Sequence, residues 1–221
     1  MTRSTGRYIA SVFMAGLLLA PSSFAFDLSL SDQAVREAYF LGQRHDESMA
    51  RLLSRYTRYL PPPQTGPHIY SVTFLTPFAL LVRQSSRTIG SSAQQAEKDH
   101  RVDDEIVVIR VEILLTQSYG SLIAAPTSSR SGSPLGYRFR SPGFWRDFSI
   151  HVFDGENALT PVAFSGEPNY LCAGEGGCVL TGATIHLQFP ADLFTSDSAT
   201  IQVSPPEGDP VAVDFNLSSL R

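Results

Sequence analysis

The densest group of ionisable side chains is the run Asp99-His100-Arg101-Val102-Asp103-Asp104-Glu105. Hard cations such as calcium take several oxygen ligands from loops, so Asp99, Asp103 and Asp104 are candidate calcium ligands. Their spacing matches no calcium-loop pattern, and a solvated acidic loop has the same composition. His100 beside Asp103 and Asp104 also supplies the residue types for general acid–base work, which needs groups within hydrogen-bond reach of one another. A metal-dependent hydrolase working through the 99–105 loop is therefore one expectation.

A second group is aromatic and basic. Tyr137, Phe139, Phe144, Trp145 and Phe148 alternate with Arg138, Arg140 and Arg146, and Trp145 is the single tryptophan. If exposed, Tyr137, Phe144, Trp145 and Arg146 would make a stacking platform for a sugar ring or an anchor for a partner protein. The same aromatics can instead plug one end of a sandwich. The five histidines are His45, His68, His100, His151 and His186. A metal site using His151 and His186 requires the two on neighbouring strands. There is no HExxH, no P-loop and no GxSxG pattern, so the common catalytic signatures are missing. Formal net charge is −4 and the isoelectric point about 5.7, against the basic face a nucleic-acid partner needs.

The start of the chain has the three parts of a secretory leader: Arg3 and Arg7 without an acid, the apolar run 9–20 (IASVFMAGLLLA), and Ser23-Phe24-Ala25 as a small-x-small end. Spanning a bilayer takes about 20 apolar residues, more than this run provides. Cleavage after Ala25 would start the mature chain at Phe26 and take the net charge from −4 to −6, since two arginines and no acid are lost. The expectation is an exported protein, periplasmic or extracellular, with no transmembrane segment in its mature chain. In an oxidising compartment Cys172 and Cys178, flanking a Gly-rich five-residue stretch, are expected to form a local disulfide.

Residues 31–60 carry apolar side chains in steps of three and four at Val35, Tyr39, Met49, Leu53, Tyr56 and Leu60, which predicts helix. Ser29 or Ser31 can cap its start, and Gly42 marks a bend or a division into two shorter helices. Pro61-Pro62-Pro63 ends it. Beyond, the apolar period becomes two, and strands are predicted at 68–74, 78–83, 105–116, 148–153, 161–164, 170–172, 178–189, 200–203 and 211–217. Ile185, Leu187 and Phe189 alternate with Thr184, His186 and Gln188, as antiparallel sheets with one wet face require. No helical pattern separates these strands, and the connections 84–104 and 125–136 are expected to be long polar loops, functional or disordered.

Tyr170-Leu171-Cys172 resembles the Tyr-x-Cys corner of immunoglobulin-type domains, and the resemblance implies sandwich architecture. The organisation expected is a leader at 1–25, a helical segment at 26–63 ending in a proline-rich linker, and a β-sandwich at 64–221. The fold class is mainly β: an antiparallel β-sandwich, immunoglobulin-like or C2-like, with an N-terminal helical segment. Such a chain reads best as a non-enzymatic binding or interaction module for a protein or carbohydrate partner, needing no cofactor. An envelope structural or assembly subunit is the third possibility beside the hydrolase.

Overall fold

A computed structural model of the protein describes residues 26–27, 29–88, 90–102, 104–126 and 135–221. The leader expected at 1–25, the candidate ligand Asp103 and the middle of the 125–136 connection lie outside the described residues.

In chain order the elements are α1 (Asp32–Gln43), α2 (Glu47–Arg55), β1 (Thr57–Tyr59), β2 (His68–Leu75), α3 (Pro77–Ser85), α4 (Ala93–His100) and β3 (Ile106–Leu114). The hairpin β4 (Leu122–Pro126) and β5 (Leu135–Phe139) follows, then β6 (Ser149–Asp154), β7 (Asn157–Leu159), β8 (Ala163–Cys172), β9 (Cys178–Pro190), β10 (Ser198–Ser204) and β11 (Val211–Asn216). The strands form a five-stranded sheet, β1-β2-β3-β9-β8, a four-stranded sheet, β11-β10-β6-β7, and the separate β4–β5 pair. Every pairing is antiparallel.

The two larger sheets pack face to face as a β-sandwich because period-two patterning gives each a greasy side. Val107, Ile109, Val111 and Ile113 of β3 and Ala183, Ile185, Leu187 and Phe189 of β9 are buried, facing Ala199, Ile201 and Val203 of β10. Phe74 of β2 joins the layers, with its ring 5.6 Å from Phe215 of β11 and 5.1 Å from Phe194. Each such large side chain contributes about 1.5–3 kcal/mol when removed from water.

The N-terminal helical prediction resolves into two helices and a strand. Ser31 accepts from the Ala34 N–H at 3.2 Å to open α1, and Asp46 accepts from the Ser48 N–H at 2.9 Å to open α2. Gly42 lies against α3: a Cβ there would sit 2.4 Å from the Val82 carbonyl oxygen, so close helix approach is its reason. Helix ends at Arg55, not at residue 60. Thr57 and Tyr59 pair with Thr73 and Ser71, and Pro61 biases Leu60 toward extended backbone.

The larger correction lies between β2 and β3. Residues 78–83, expected as a strand, are helical, and the expected loop 84–104 contains α4, so helices do interrupt the strand series. Thr76 accepts from the Ala79 N–H at 3.3 Å and Pro77 occupies the first turn; Ser92 accepts from the Gln95 N–H at 3.2 Å. Both are helix-start signals. With α1 these helices share a second apolar cluster of Leu30, Ala34, Val35, Ala38, Phe78 and Val82. The helical layer thus draws on chain from both sides of the triple proline.

Candidate functional site

The outer face of the five-stranded sheet and the helices α3 and α4 enclose a cleft of about 720 Å³. Its apolar lining comes from Leu75 at the end of β2, Ile106 and Val108 of β3, and Leu80 and Leu81 of α3. These β3 positions are available because the odd-numbered residues of that strand face the core and the even-numbered ones face outward. The polar lining includes Arg83, Arg87, Asp99, His100, Glu105 and His186.

Most of the acids are occupied or solvated. His100 Nε2 lies 2.9 Å from Glu105 Oε1, which also accepts from the Leu30 N–H at 3.0 Å. Asp99 accepts from Gln95 Nε2 at 2.6 Å on the exposed rim, and Asp104 is exposed. The cations differ. Arg83 is half-buried, and among the described residues no carboxylate lies within 4.0 Å of it. Burial, with Arg110 and Arg87 nearby, holds its pKa below the ordinary arginine value. Arg110 stands opposite His186 across β3 and β9, 3.5 Å from Glu112 Oε2. His186 titrates below the usual imidazole value, chiefly because it is half-buried and then because Arg110 is close; Glu167, at 3.8 Å, opposes this.

The aromatic platform is not assembled. Phe144 and Trp145 are 3% and 6% exposed, with Phe144 against Tyr119 and Phe148 and Trp145 against Phe164. They plug the interior beneath β8, where Gly166 makes room: a Cβ on it would stand 2.6 Å from the indole. The Arg146 guanidinium lies over the Trp145 ring at 4.3 Å. Tyr137 is 76% exposed on β5 and pairs with neither ring.

Of the candidate calcium ligands, Asp99 and Asp104 both line the cleft. Among the described residues no three His, Cys, Asp or Glu side chains converge as a metal-ligand set, and the third candidate, Asp103, lies outside them. His151 and His186 lie on β6 and β9, in different sheets, which excludes a site built on neighbouring strands. Cys172 and Cys178 face each other across the β8–β9 hairpin and form the expected disulfide, with Cα atoms 4.0 Å apart. Because that bond closes a hairpin and Tyr170 is half-exposed on an edge strand, the Tyr-Leu-Cys tripeptide does not build a corner between two sheets.

Sequence reasoning missed Arg83, Arg87 and Arg110 as a group with His186, since they belong to separate elements. Thr76-Pro77 and the Ser92-x-x-Gln95 pattern were the signals that could have placed helices over the sheet. No protein-family model matches the chain, and no curated protein sequence matches it. Among the described residues no helix is long and apolar enough to cross a membrane.

Proposed function

We propose that the protein is an exported, non-enzymatic binding module, periplasmic or extracellular, that holds a small ligand in the cleft between its helical layer and the outer sheet face. The cleft carries this reading. Its volume lies within the range of about 300–1,000 Å³ typical of small-molecule sites, and it combines an apolar floor with a few convergent polar groups. The leader-like start of the chain and the disulfide support export. A thermal-shift screen of small organic acids, sugars and peptides, followed by NMR mapping of each hit, tests it. Hits should perturb amides at 75–88 and 104–108; hits mapping only elsewhere, or none, overturn the reading.

Two alternatives each keep one observation in their favour. The His100–Glu105 pair inside the cleft is the kind of oriented imidazole a hydrolase needs. A broad ester and amide panel should then show turnover that His100→Ala abolishes. The long edge strand β8, with Phe164, Tyr170 and Leu171 exposed, suits strand-edge assembly. Sedimentation at rising concentration should in that case show a growing oligomer.

A further inference from the structure

Three features of the molecule invite a ligand or partner: the cleft, the exposed edge of β8, and the small hollow of about 110 Å³ beside Pro61 and Pro205. Of these, the first combines a concave apolar lining with a cation, Arg83, that has no carboxylate within 4.0 Å among the described residues. Resting on the binding-module reading, we infer that the cleft takes an amphipathic organic anion, its apolar body on Leu75, Leu80, Ile106 and Val108 and its oxyanion head on Arg83.

Sorting the charges decides the sign. Glu105 already receives His100 and the Leu30 amide, while Asp99 and Asp104 stand in water at the rim. A cationic ligand would therefore find acids that are occupied or well hydrated. Arg83 is partly buried, and among the described residues no carboxylate lies within 4.0 Å of it, while Arg87 and Arg110 add like charge nearby. Removing a charge from water costs free energy unless a partner restores it, and neighbouring like charges add repulsion. An oxyanion on Arg83 relieves both at once. The depressed arginine pKa expresses the same imbalance.

The residue type fits the task. A guanidinium is planar, weakly hydrated and able to give two parallel N–H bonds to a carboxylate or phosphate. Arg87, on the exposed last turn beyond α3, adds attraction from the rim. Arg110 is partly compensated by Glu112, so it contributes field more than a free hydrogen-bonding fork. Adjacent Leu80 and Leu81 on α3, with Ile106 and Val108 beneath, then supply a dry surface for the hydrocarbon part.

Isothermal titration of the protein with octanoate, octanol and octylammonium, three probes sharing one apolar chain, tests the inference. Octanoate is expected to bind at least about tenfold more tightly than octanol, and octylammonium most weakly. Arg83→Met should weaken octanoate about tenfold and leave octanol unchanged. Arg83→Lys keeps the charge but loses the planar fork, so it should weaken octanoate about threefold; it also serves if the methionine variant folds poorly. In the unsubstituted protein, octanoate should shift the Arg83 Nε–H resonance. Equal binding of octanoate and octanol within the cleft, a preference for octylammonium, or insensitivity to both Arg83 variants overturns the anion inference while the binding-module reading stands. Failure of all three probes to bind the cleft overturns the anion inference by itself, and the broader ligand screen then decides the reading beneath it.

Discussion

Asp154 ends β6 with 1% of its surface exposed, and its carboxylate organises the approach to β10. Oδ2 accepts from the Thr195 N–H and hydroxyl, both at 3.0 Å, and from the Ser196 N–H and hydroxyl, both at 3.1 Å; Oδ1 accepts from the same Ser196 N–H at 3.0 Å. Asp154→Ala leaves all four donors without this acceptor. Thr195 is exposed, so water replaces the carboxylate there, whereas Ser196 is half-buried. A stranded buried donor costs about 1–3 kcal/mol, which places the loss at about 2–4 kcal/mol once rehydration at Thr195 is allowed. For a chain of this size that lowers the melting midpoint by about 5–15 °C, at roughly 2–4 °C per kcal/mol. Asp154→Asn keeps the volume and one oxygen but aims an amide at the remaining donor, and should cost about 1–2 kcal/mol. Urea denaturation followed by emission of the lone, buried Trp145 measures both variants. An alanine variant within about 0.5 kcal/mol of the parent, the range of an ordinary surface change, or an asparagine variant weaker than alanine would refute the reasoning.

Four further outcomes follow from other contacts. Gly166→Ala drives a methyl group into the Trp145 indole, 2.6 Å from Cδ2, and should cost about 1–3 kcal/mol with a shifted tryptophan emission; unchanged fluorescence and midpoint would contradict the contact. Tyr56→Phe removes the buried hydroxyl that donates to the Arg221 carbonyl at 2.9 Å and accepts from the Arg221 N–H at 3.0 Å, so chemical denaturation should show a loss of about 1–2 kcal/mol. Replacing Cys172 and Cys178 together by Ser opens a loop of sequence separation 6 and should lower stability by no more than about 2–3 kcal/mol, with the circular dichroism of the sandwich intact; loss of the fold would show that the bridge does more than pin its hairpin. His186 is held below the ordinary imidazole value of 6.5, so the unfolded chain takes its proton first and stability rises with pH through that window. The contribution is complete above about pH 6.5 and declines as pH falls toward the lower folded value; His186→Gln should flatten that part of a Tm–pH profile.

Strand β11 and the 183–189 part of β9 were legible because their buried apolar side chains fall on every second residue, and β3 because its run is rich in Val and Ile; a one-residue slip in the first two would turn their apolar faces outward. The run 78–83 was not, since FALLVR is short, apolar and equally suited to a buried strand or to one face of a helix. Tertiary context chose helix: Phe78 and Val82, one turn apart, both reach the apolar stripe of α1. The disulfide followed from the short Cys–Cys spacing together with the leader-like start, whereas the burial of Trp145 depends on Gly166, twenty-one residues away, having no side chain. The cleft was illegible for a similar reason. Arg110 and His186 meet through the pairing of β3 with β9, Arg83 reaches the same cleft from α3, and no local pattern records either arrangement.

The order of strands in the larger sheet has a consequence for synthesis. Ile109 finds Leu187 only after a long intervening stretch of chain has emerged, while β8 meets β9 through its own short turn. During that interval the IVVIRVEIL segment has β2 on one side and an open ladder on the other, and transiently unpaired edges of this composition invite intermolecular pairing. Arg110 and Glu112 interrupt it with charge on the outer face. Neutralising Arg110 and Glu112 together should therefore lower soluble yield before it alters the finished domain.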